Sequence, residues 1–314
     1  MSSGDRAALV ALFRSTGGTR WRVKDKWDTD ADLSQWYGVQ VNEDGRVVHL
    51  VLNHNNIKGT IPEALGALKD LKGLHVYNNK LTGPIPEALR TLKELTHLDF
   101  GRNKLTGSIP AWLGSLQKLQ QLGLYHNHLG GPIPEELGAL KELTILYLNY
   151  NMLTGSIPTS LGSLVKLELL KLQSNQLVGV IPTELANLSA LSKFKFKSTG
   201  LKAFLSRGNK LTGGPADGEG LHTWKERIRR KHETKPQTLK GSQKEEDVPV
   251  PPPSTLAVLQ PQQQERGKAD EKEEDAPVVL GAPTPREKTA AERVDYREHA
   301  YWSPDKAEKV DRTC

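Results

Sequence analysis

The sequence predicts an α/β repeat solenoid, in which a curved parallel sheet lines the concave face of a stack of short units. Three observations carry this prediction. Ile-Pro recurs six times at intervals of 24 residues, from positions 61–62 to 181–182. Asparagine and glycine recur in step with it. A long helix cannot carry proline and glycine at such regular intervals, whereas a stack of short strands and turns can.

Each repeat unit reads LxxLxLxxNxLxGxIPxxLGxLxx, and six complete units span residues 47–190. The alternating LxL segment predicts a short strand whose leucines point inward. Because one unit cannot bury its leucines alone, neighbouring units stack and place their strands side by side. An asparagine after each strand can satisfy backbone groups of the turn, so this column is predicted to form a structural ladder. The ladder consists of Asn55, Asn79, Asn103, Asn127, Asn151 and Asn175.

Residues 1–46 are interpreted as an N-terminal cap, because a stack of repeats exposes apolar ends unless they are covered. A helix is predicted from Asp5 to about Ser15, before the Gly17-Gly18 pair that ends it. The turn at 42–45 predicts a hairpin that leads into the first repeat strand. Three tryptophans between these elements are interpreted as cap core, namely Trp21, Trp27 and Trp36.

The unit pattern resembles the plant-type leucine-rich repeat found in receptor-kinase ectodomains. The cap, with its order DRAALVALF, three tryptophans, WYGV and GRVVHL, resembles the caps of such arrays. It lacks the cysteine pair of the extracellular plant version and is in this respect similar to leucine-rich repeat proteins of algae, other protists and some bacteria. The resemblance implies a recognition module for a protein or peptide ligand, in signalling or innate immunity.

The array is interrupted near its end. Residues 191–214 are interpreted as a degenerate seventh repeat with a ten-residue insertion, because Thr199 takes the expected asparagine position and Asn209 resumes the consensus. Residues 215–314 are rich in Pro, Gln, Glu and Lys and predict a disordered tail. One short helix is predicted within it, at Leu221–His232.

The outward strand positions define a candidate partner-binding surface. They are the third, fifth, seventh and eighth of each unit, and they hold five of the nine histidines and four of the seven tyrosines. Such side chains give large, stiff contact area with a polar handle, which suits interfaces. A solvated sheet face also favours tyrosine, so a purely structural interpretation stays open. The predicted binding residues are His75, Tyr77, His97, Asp99, Arg102, Tyr125, His126, Tyr147, Asn149, Tyr150 and Lys171.

Lys193, Lys195 and Lys197 continue this face as a predicted basic rim, and residues 225–231 hold a further basic cluster. Clusters of this kind attract acidic protein, anionic lipid or nucleic acid, or serve as a nuclear address. Because the three rim lysines share their strand face with no aromatic side chain for base stacking, nucleic acid is not the expected partner.

No catalytic or metal site is expected. The sequence has no GxxxxGK[ST] phosphate loop, no kinase loop signature and no HExxH pair, so neither enzyme activity nor a cofactor is predicted. His49, His75 and His97 would lie on adjacent strands, but no carboxylate is evident to orient them around a metal. Cys314 is the only cysteine, and no apolar run could span a membrane, so we expect a cytoplasmic protein without disulfides.

Three functions follow from these observations. The first is a non-catalytic module that recognises a protein or peptide on its concave face. The second is the recognition half of a leucine-rich repeat kinase or GTPase whose catalytic part is missing from this chain. The third is a structural scaffold.

Overall fold

The structure, a computed structural model, describes residues 3–193, 206–216, 219 and 221–233. All of them belong to one compact unit, Met1–Gly241. They form the predicted repeat solenoid, which confirms the fold class. In each complete unit a strand of the main sheet is followed by a short stretch on one flank and then by a 3-10 helix.

The N-terminal cap begins with helix α1, Ser3–Ser15, whose apolar side packs on an aromatic cluster. Trp21, Trp27 and Trp36 are buried. The ring centroids of Trp21 and Trp27 lie 4.8 Å apart, and those of Trp27 and Trp36 lie 5.1 Å apart. Phe13 of α1 meets Trp21 edge to face at 5.2 Å. The tryptophans therefore form the cap core.

The described strands are short and follow the repeat closely. In chain order they are β1 (Val39–Val41), β2 (Val47–Val51), β3 (Lys58–Thr60), β4 (Gly73–His75), β5 (Lys80–Gly83), β6 (His97–Asp99), β7 (Lys104–Leu105), β8 (Gln121–Gly123), β9 (Gly130–Pro132), β10 (Ile145–Tyr147), β11 (Met152–Thr154), β12 (Leu169–Lys171), β13 (Val178–Val180) and β14 (Lys210–Thr212).

A hairpin fastens the cap to the array. Strands β1 and β2 pair antiparallel, and Asn42 Oδ1 closes the turn by accepting the N–H groups of Asp44 and Arg46. Asp5 of α1 is buried, where it accepts the N–H of Val47 at 2.9 Å and pairs with Arg46 at 3.1 Å. The helix and the first repeat strand are thus joined by one carboxylate.

The main sheet has the order β1-β2-β4-β6-β8-β10-β12, and its repeat strands pair in parallel. We call it the concave sheet, because the closely spaced strands of a repeat solenoid line its inner curve. Paired residues are 24 positions apart, as with Leu98 and Leu122. The inward leucines are completely or almost completely buried, at positions Leu50, Leu74, Leu98, Leu122, Leu146 and Leu170.

The remaining repeat strands form three small parallel sheets beside the concave sheet, β3-β5-β7, β9-β11 and β13-β14. We call this side of the array the flank. Behind it the chain enters six 3-10 helices, each preceded by the proline of Ile-Pro in extended conformation. They are Glu63–Ala67, Glu87–Thr91, Ala111–Ser115, Glu135–Ala139, Thr159–Ser163 and Thr183–Asn187.

The asparagine column forms a continuous hydrogen-bonded ladder. Asn127 donates through Nδ2 to the carbonyls of Phe100 and Leu124, both at 3.0 Å, and its Oδ1 accepts the N–H of Leu105 at 2.9 Å. One buried amide thus serves three backbone groups in two units. The same pattern recurs at Asn79, Asn103, Asn151 and Asn175. Asn55, the first rung, instead bonds the backbone of Val23 in the cap.

Asn209 provides the next rung. Its Oδ1 accepts the N–H of Leu177 and its Nδ2 donates to Leu172, at offsets of 32 and 37 residues. The corresponding offsets at Asn175 are 22 and 27 residues. The difference is ten residues in both cases, which is the length of the insertion read from the sequence. Residues 194–205, which include most of that insertion, lie outside the described residues.

The last part of the described chain corrects two expectations. Lys193 was expected on a seventh concave strand, but it ends a 3-10 helix, Ser189–Lys193. The short helix predicted at Leu221–His232 is present as helix α2, Leu221–Glu233, but it packs against Thr183–Asn187 and so is not part of a disordered tail that begins at residue 215. Trp224 is 2% exposed and belongs to the core. The helix therefore covers the C-terminal end of the array, and the predicted tail beyond 233 lies outside the described residues.

Candidate functional site

The outward side of the concave sheet carries the predicted binding residues. We call the side chains at the third, fifth, seventh and eighth unit positions between residues 49 and 174 the concave face. One row across the strands shows how the face is assembled. It runs through the paired residues His75, Asp99, Gly123, Tyr147 and Lys171.

Four predicted binding residues are buried, which corrects the expectation of an open contact surface at these positions. We call them the buried floor: Asp99, Tyr125, Tyr147 and Asn149, with exposed fractions of 0%, 4%, 6% and 5%. The two tyrosines are not part of the leucine core on the other side of the sheet. The floor is therefore a second, smaller packed layer on the outward side.

Two glycines make room for the buried floor. A Cβ atom on Gly101 would lie 2.2 Å from the ring of Tyr125, and one on Gly123 would lie 2.8 Å from Asp99 Oδ1. The ring and the carboxylate thus occupy the space that side chains at these two positions would fill. Because the partners sit one repeat away in sequence, only the assembled sheet brings them together.

A partly accessible pair of aromatic rings lies next to the buried floor. His126 and Tyr150 stack in parallel with ring centroids 4.1 Å apart, and both are half-buried. Tyr125 meets Tyr147 edge to face at 6.0 Å, and Lys171 Nζ lies 4.8 Å from the centroid of the Tyr147 ring. A flat aromatic stack beside a cation offers contact area that needs little further ordering on binding.

A second aromatic pair lies at the N-terminal end of the face. The ring of Tyr77 meets that of His54 edge to face at 4.6 Å, and Tyr77 Oη and His54 Nε2 are 2.5 Å apart. Asn78 hydrogen bonds the other ring nitrogen of His54. Partial burial lowers the pKa of His54, and the positive charges of Arg22 and Arg102 lower it further. Both effects favour the neutral form of the imidazole.

Three histidines cluster over Gly73. A Cβ atom there would lie 2.4 Å from His49 Nδ1 and 3.1 Å from His75 Nε2, and the rings of His75 and His97 are 6.1 Å apart. Burial, with the nearby imidazoles of His97 and His49, lowers the pKa of His75 to about 4. Among the residues that the structure describes, no three His, Cys, Asp or Glu side chains are arranged to hold a metal ion.

Asp99 is the one acidic side chain of the concave face. Its Oδ1 accepts the N–H of Gly101 at 2.9 Å, whereas Oδ2 has no hydrogen-bond partner among the described residues. Burial raises the pKa of Asp99 to about 7, although the Gly101 N–H bond works in the opposite direction. A substantial fraction of this carboxyl group is therefore protonated at neutral pH.

Unsatisfied acceptors concentrate on the concave face. In the described part of the chain, four buried side-chain oxygens lack a hydrogen-bond partner. Three of them belong to the face, namely Asp99 Oδ2, Asn149 Oδ1 and Gln173 Oε1. A buried acceptor without a partner costs roughly 1–3 kcal/mol, so acceptors of this kind are normally satisfied by water, an ion or a ligand.

Seven of the predicted binding residues keep part of their surface accessible, namely His75, Tyr77, His97, Arg102, His126, Tyr150 and Lys171. The predicted set missed two members of the face, the exposed His54 and the half-buried Gln173. Their unit positions, eighth and seventh, were the only signal available. All eighth-position residues have left-handed backbone, with φ between 50° and 58°, at His54, Asn78, Arg102, His126, Tyr150 and Ser174.

The predicted basic regions are only partly visible. Lys195, Lys197 and the side chain of Lys193 lie outside the described residues. The cluster at 225–231 falls on helix α2, where Arg227 pairs with Glu219 at 2.8 Å and Arg229 pairs with Glu226 at 3.0 Å. Part of its charge is thus neutralised within the helical cap. No helix in the described ranges is long and apolar enough to cross a membrane.

Comparisons with known proteins agree with this geometry. Family profiles described as leucine rich repeat match residues 46–99, 74–129, 142–164 and 166–188. A search of curated protein sequences gives no significant match. A plant ice-binding protein of known structure is similar, with 29% identity over 67% of this chain and 72% of that chain, and a TM-score of 0.57.

Two Arabidopsis receptor structures are also similar. The ectodomain of the receptor kinase GASSHO1/SCHENGEN3, in complex with CASPARIAN STRIP INTEGRITY FACTOR 2, is 37% identical over 59% of this chain and 23% of that chain, with a TM-score of 0.55. The receptor kinase HAESA, in complex with the peptide hormone IDA and the co-receptor SERK1, is 28% identical over 68% and 39%, with a TM-score of 0.52. The present chain spans less than half of either receptor chain. From its repeats, its sheet and these similarities, the chain is a leucine-rich repeat protein of the plant type.

Proposed function

We propose that this protein is a non-catalytic recognition module that binds a protein or peptide ligand on its concave face. The observation that carries the proposal is the concentration of unsatisfied acceptors there, at Asp99, Asn149 and Gln173. An extended peptide presents regularly spaced N–H donors, which are the groups that the oxygens of Asn149 and Gln173, and of Asp99 in its ionised form, can accept. A shift of the tyrosine rings would open the acceptors to such a ligand.

The accessible residues of the concave face offer the ligand three kinds of contact. The His126–Tyr150 stack supplies a rigid contact surface for an apolar or planar group. Arg102 and Lys171 supply positive charge for a carboxylate or a backbone carbonyl. The neutral histidines at 75 and 97 accept or donate single hydrogen bonds without adding charge at pH 7.

The similar receptor structures support a peptide ligand. The solved HAESA complex contains a peptide hormone, and the GASSHO1/SCHENGEN3 complex contains CASPARIAN STRIP INTEGRITY FACTOR 2. By analogy we propose a role in signalling or innate immunity. We also propose a cytoplasmic location, which rests on the single cysteine and on the cysteine-free cap.

Two alternatives make different predictions. If the chain is the recognition half of a leucine-rich repeat kinase or GTPase, a longer open reading frame at the same locus will encode the catalytic part. If the array is only a scaffold, substitutions on the concave face will change no interaction. The second alternative is tested directly below.

The experiment is a selection of peptides from a random display library with the full chain as bait. Selected peptides are then measured by fluorescence anisotropy against a triple variant, Arg102→Ala, His126→Ala and Tyr150→Ala. We expect the dissociation constants to rise by about tenfold or more, because clustered aromatic and arginine residues dominate binding energies.

A control variant changes the same three residue types elsewhere. It carries Arg90→Ala, His128→Ala and Tyr37→Ala, which replace accessible side chains of a 3-10 helix, the flank and the cap. The control variant should bind the selected peptides as the native chain does. Equal binding by all three proteins, or equal losses in both variants, would favour the scaffold.

A further inference from the structure

The flank carries a row of lysines that the proposed function does not use. Lys58 of β3 pairs in register with Lys80 of β5, and Lys104 of β7 pairs with Thr82. Side chains two residues apart on a strand share a face, so these lysines alternate with threonines on the outward side. We call this surface the lysine flank: Lys58, Lys80 and Lys104, with Thr60, Thr82 and Thr106.

The charge of the lysine flank is not neutralised. All three lysines are exposed, and none of them makes an ion pair or a side-chain hydrogen bond within the described ranges. The sequence also places no Asp or Glu in the flank segment of any unit, from residues 56–60 through 210–214. Three parallel strands about 4.8 Å apart therefore present an uncompensated row of cations.

The opposite edge of the array is built differently. There, cations pair with acids of the neighbouring unit, as in Lys118 with Glu94 and Lys166 with Glu142, both at 2.6 Å. Arg46 likewise pairs with Asp70. Both edges are thus rich in lysine, but only the opposite edge contains partners for it. The repeat units therefore contain acidic residues on the opposite edge, but none in their flank segments.

Two arginines of the cap extend the positive surface. Asn56 Nδ2 donates to the carbonyl of Arg20 at 3.0 Å, and the N–H of Arg22 donates to Asn55 at 3.1 Å. These hydrogen bonds place Arg20 and Arg22 beside the segment that leads into β3, at the N-terminal end of the lysine flank. Both arginine side chains are exposed. The positive surface therefore continues from the cap over at least three repeat units.

We propose that the lysine flank binds a linear polysaccharide that bears carboxylate groups. A polymer with a charge on successive sugars can neutralise several lysines at once, and release of its counterions then favours association. The threonine hydroxyls between the lysines can exchange hydrogen bonds with sugar hydroxyls. Such a ligand needs no deep pocket, which matches the open surface of the short strands.

Other anionic partners fit this surface less well. Single-stranded nucleic acid binds tightly when aromatic rings stack on its bases, and the flank segments contain no Phe, Tyr or Trp from 56–60 through 210–214. A stable protein interface needs large apolar or aromatic anchors at its centre. The outward side chains of β3, β5 and β7 are lysines and threonines, so they supply no such anchor.

The test measures binding of the full chain to sodium polygalacturonate by isothermal titration calorimetry at low salt. The flank variant carries Lys58→Gln, Lys80→Gln and Lys104→Gln. The control variant makes the same change in charge on the opposite edge, with Lys69→Gln, Lys93→Gln and Lys141→Gln. Neutral dextran and oligo(dT) serve as comparison ligands.

We expect the native chain and the control variant to bind polygalacturonate, with affinity that falls as salt rises, and dextran not to bind. The flank variant should lose about tenfold or more in affinity. Binding should persist in the variant with Arg102→Ala, His126→Ala and Tyr150→Ala, because it keeps all three lysines of the flank. Failure of the native chain to bind, equal losses in the flank and control variants, or tighter binding of oligo(dT) would overturn the proposal.

Discussion

The two sides of the concave sheet carry opposite kinds of side chain, although the same short strands supply both. On the inner side almost every unit repeats leucine, and each of these leucines is buried in one continuous core. On the outer side the units differ, with imidazole, carboxylate, phenol and amide groups in equivalent positions. The inner side has its polar groups satisfied by the asparagine ladder, whereas the outer side keeps three unsatisfied oxygens.

This comparison indicates that stability and recognition are separated across the thickness of a single sheet. Repetition on the inner side lets every unit contribute similarly to stacking. Variation on the outer side then costs little, because the core does not depend on it. The buried floor is the exception, since its four residues lie on the outer side and yet are buried. The predictions below test where the separation holds and where it fails.

The largest effect is expected in the inner leucine row. Leu122→Ala should lower the free energy of unfolding by about 3 kcal/mol, because it leaves a cavity between three units. The adjacent outward residue is the control, and Gln121→Ala should change the free energy by no more than about 0.5 kcal/mol. Urea unfolding followed by circular dichroism measures both. Similar losses would show that the outer side is as important for stability as the inner side.

The two kinds of asparagine should differ almost as much. Asn127→Ala should cost roughly 2–3 kcal/mol, because it leaves backbone groups of Phe100, Leu124 and Leu105 without a partner. Asn149→Ala should cost less than about 1 kcal/mol, although Asn149 is also buried, because its Oδ1 has no partner to lose. The same urea titrations apply. A greater loss at Asn149 would contradict the assignment of the ladder.

The glycines beneath the buried floor provide a finer test. Gly101→Ala should cost roughly 1–3 kcal/mol and displace Tyr125, because the new methyl group would lie 2.2 Å from its ring. Gly130→Ala on the flank is the matched control, since its nearest neighbour would be 3.8 Å away. Unfolding measurements and tyrosine fluorescence report the two effects. An unchanged tyrosine signal in Gly101→Ala would mean that the floor is not packed as described.

The smallest net effect concerns pH, because two opposite contributions offset each other in the native chain. The pKa of Asp99 is raised to about 7 in the folded chain, so folded protein binds the extra proton and Asp99 makes stability fall as pH rises from about 4 to about 7. The pKa of His75 is lowered to about 4, so His75 makes stability rise with pH up to its ordinary pKa near 6.5. In the native chain the two slopes oppose each other.

Single substitutions should separate these slopes. Relative to the native chain, Asp99→Asn should become more stable as pH rises through this range, and His75→Gln should become less stable. Urea midpoints recorded between the pKa values of the two groups, about 4 for His75 and about 7 for Asp99, measure the change. Parallel pH profiles in all three proteins would contradict the burial of these two groups.

Most of the fold could be predicted because the same residue types recur at the same positions of every unit. The leucine, asparagine and proline columns each have one structural task, and even the ten-residue insertion was readable from the displaced Asn209. Helix α2 itself was predicted, at Leu221–His232, but its packing on the array was not, because its anchor Trp224 stands in a segment rich in charged residues that resembles a tail. The 3-10 helix at Ser189–Lys193 replaces the start of a strand that the pattern predicted.

The candidate face was predicted as a set of positions but not as a surface. Burial of Asp99 and Tyr125 depends on Gly123 and Gly101, which are neighbours only across strands that lie a full repeat apart. A strand pattern shows which side a residue takes, but it does not show how side chains of successive units fill one another's gaps. The unsatisfied oxygens were invisible for the same reason, since hydrogen bonding depends on the assembled packing.

The most direct test of the account is to locate a selected peptide by photo-crosslinking. Benzoylphenylalanine is placed at position 150, on the concave face, or at position 37, where Tyr37 is a 39% exposed tyrosine of the cap. We predict that the peptide crosslinks to the protein labelled at 150 and not to the protein labelled at 37. Crosslinking from neither position or from 37 alone would contradict the claim that the outer side of these strands is the recognition surface.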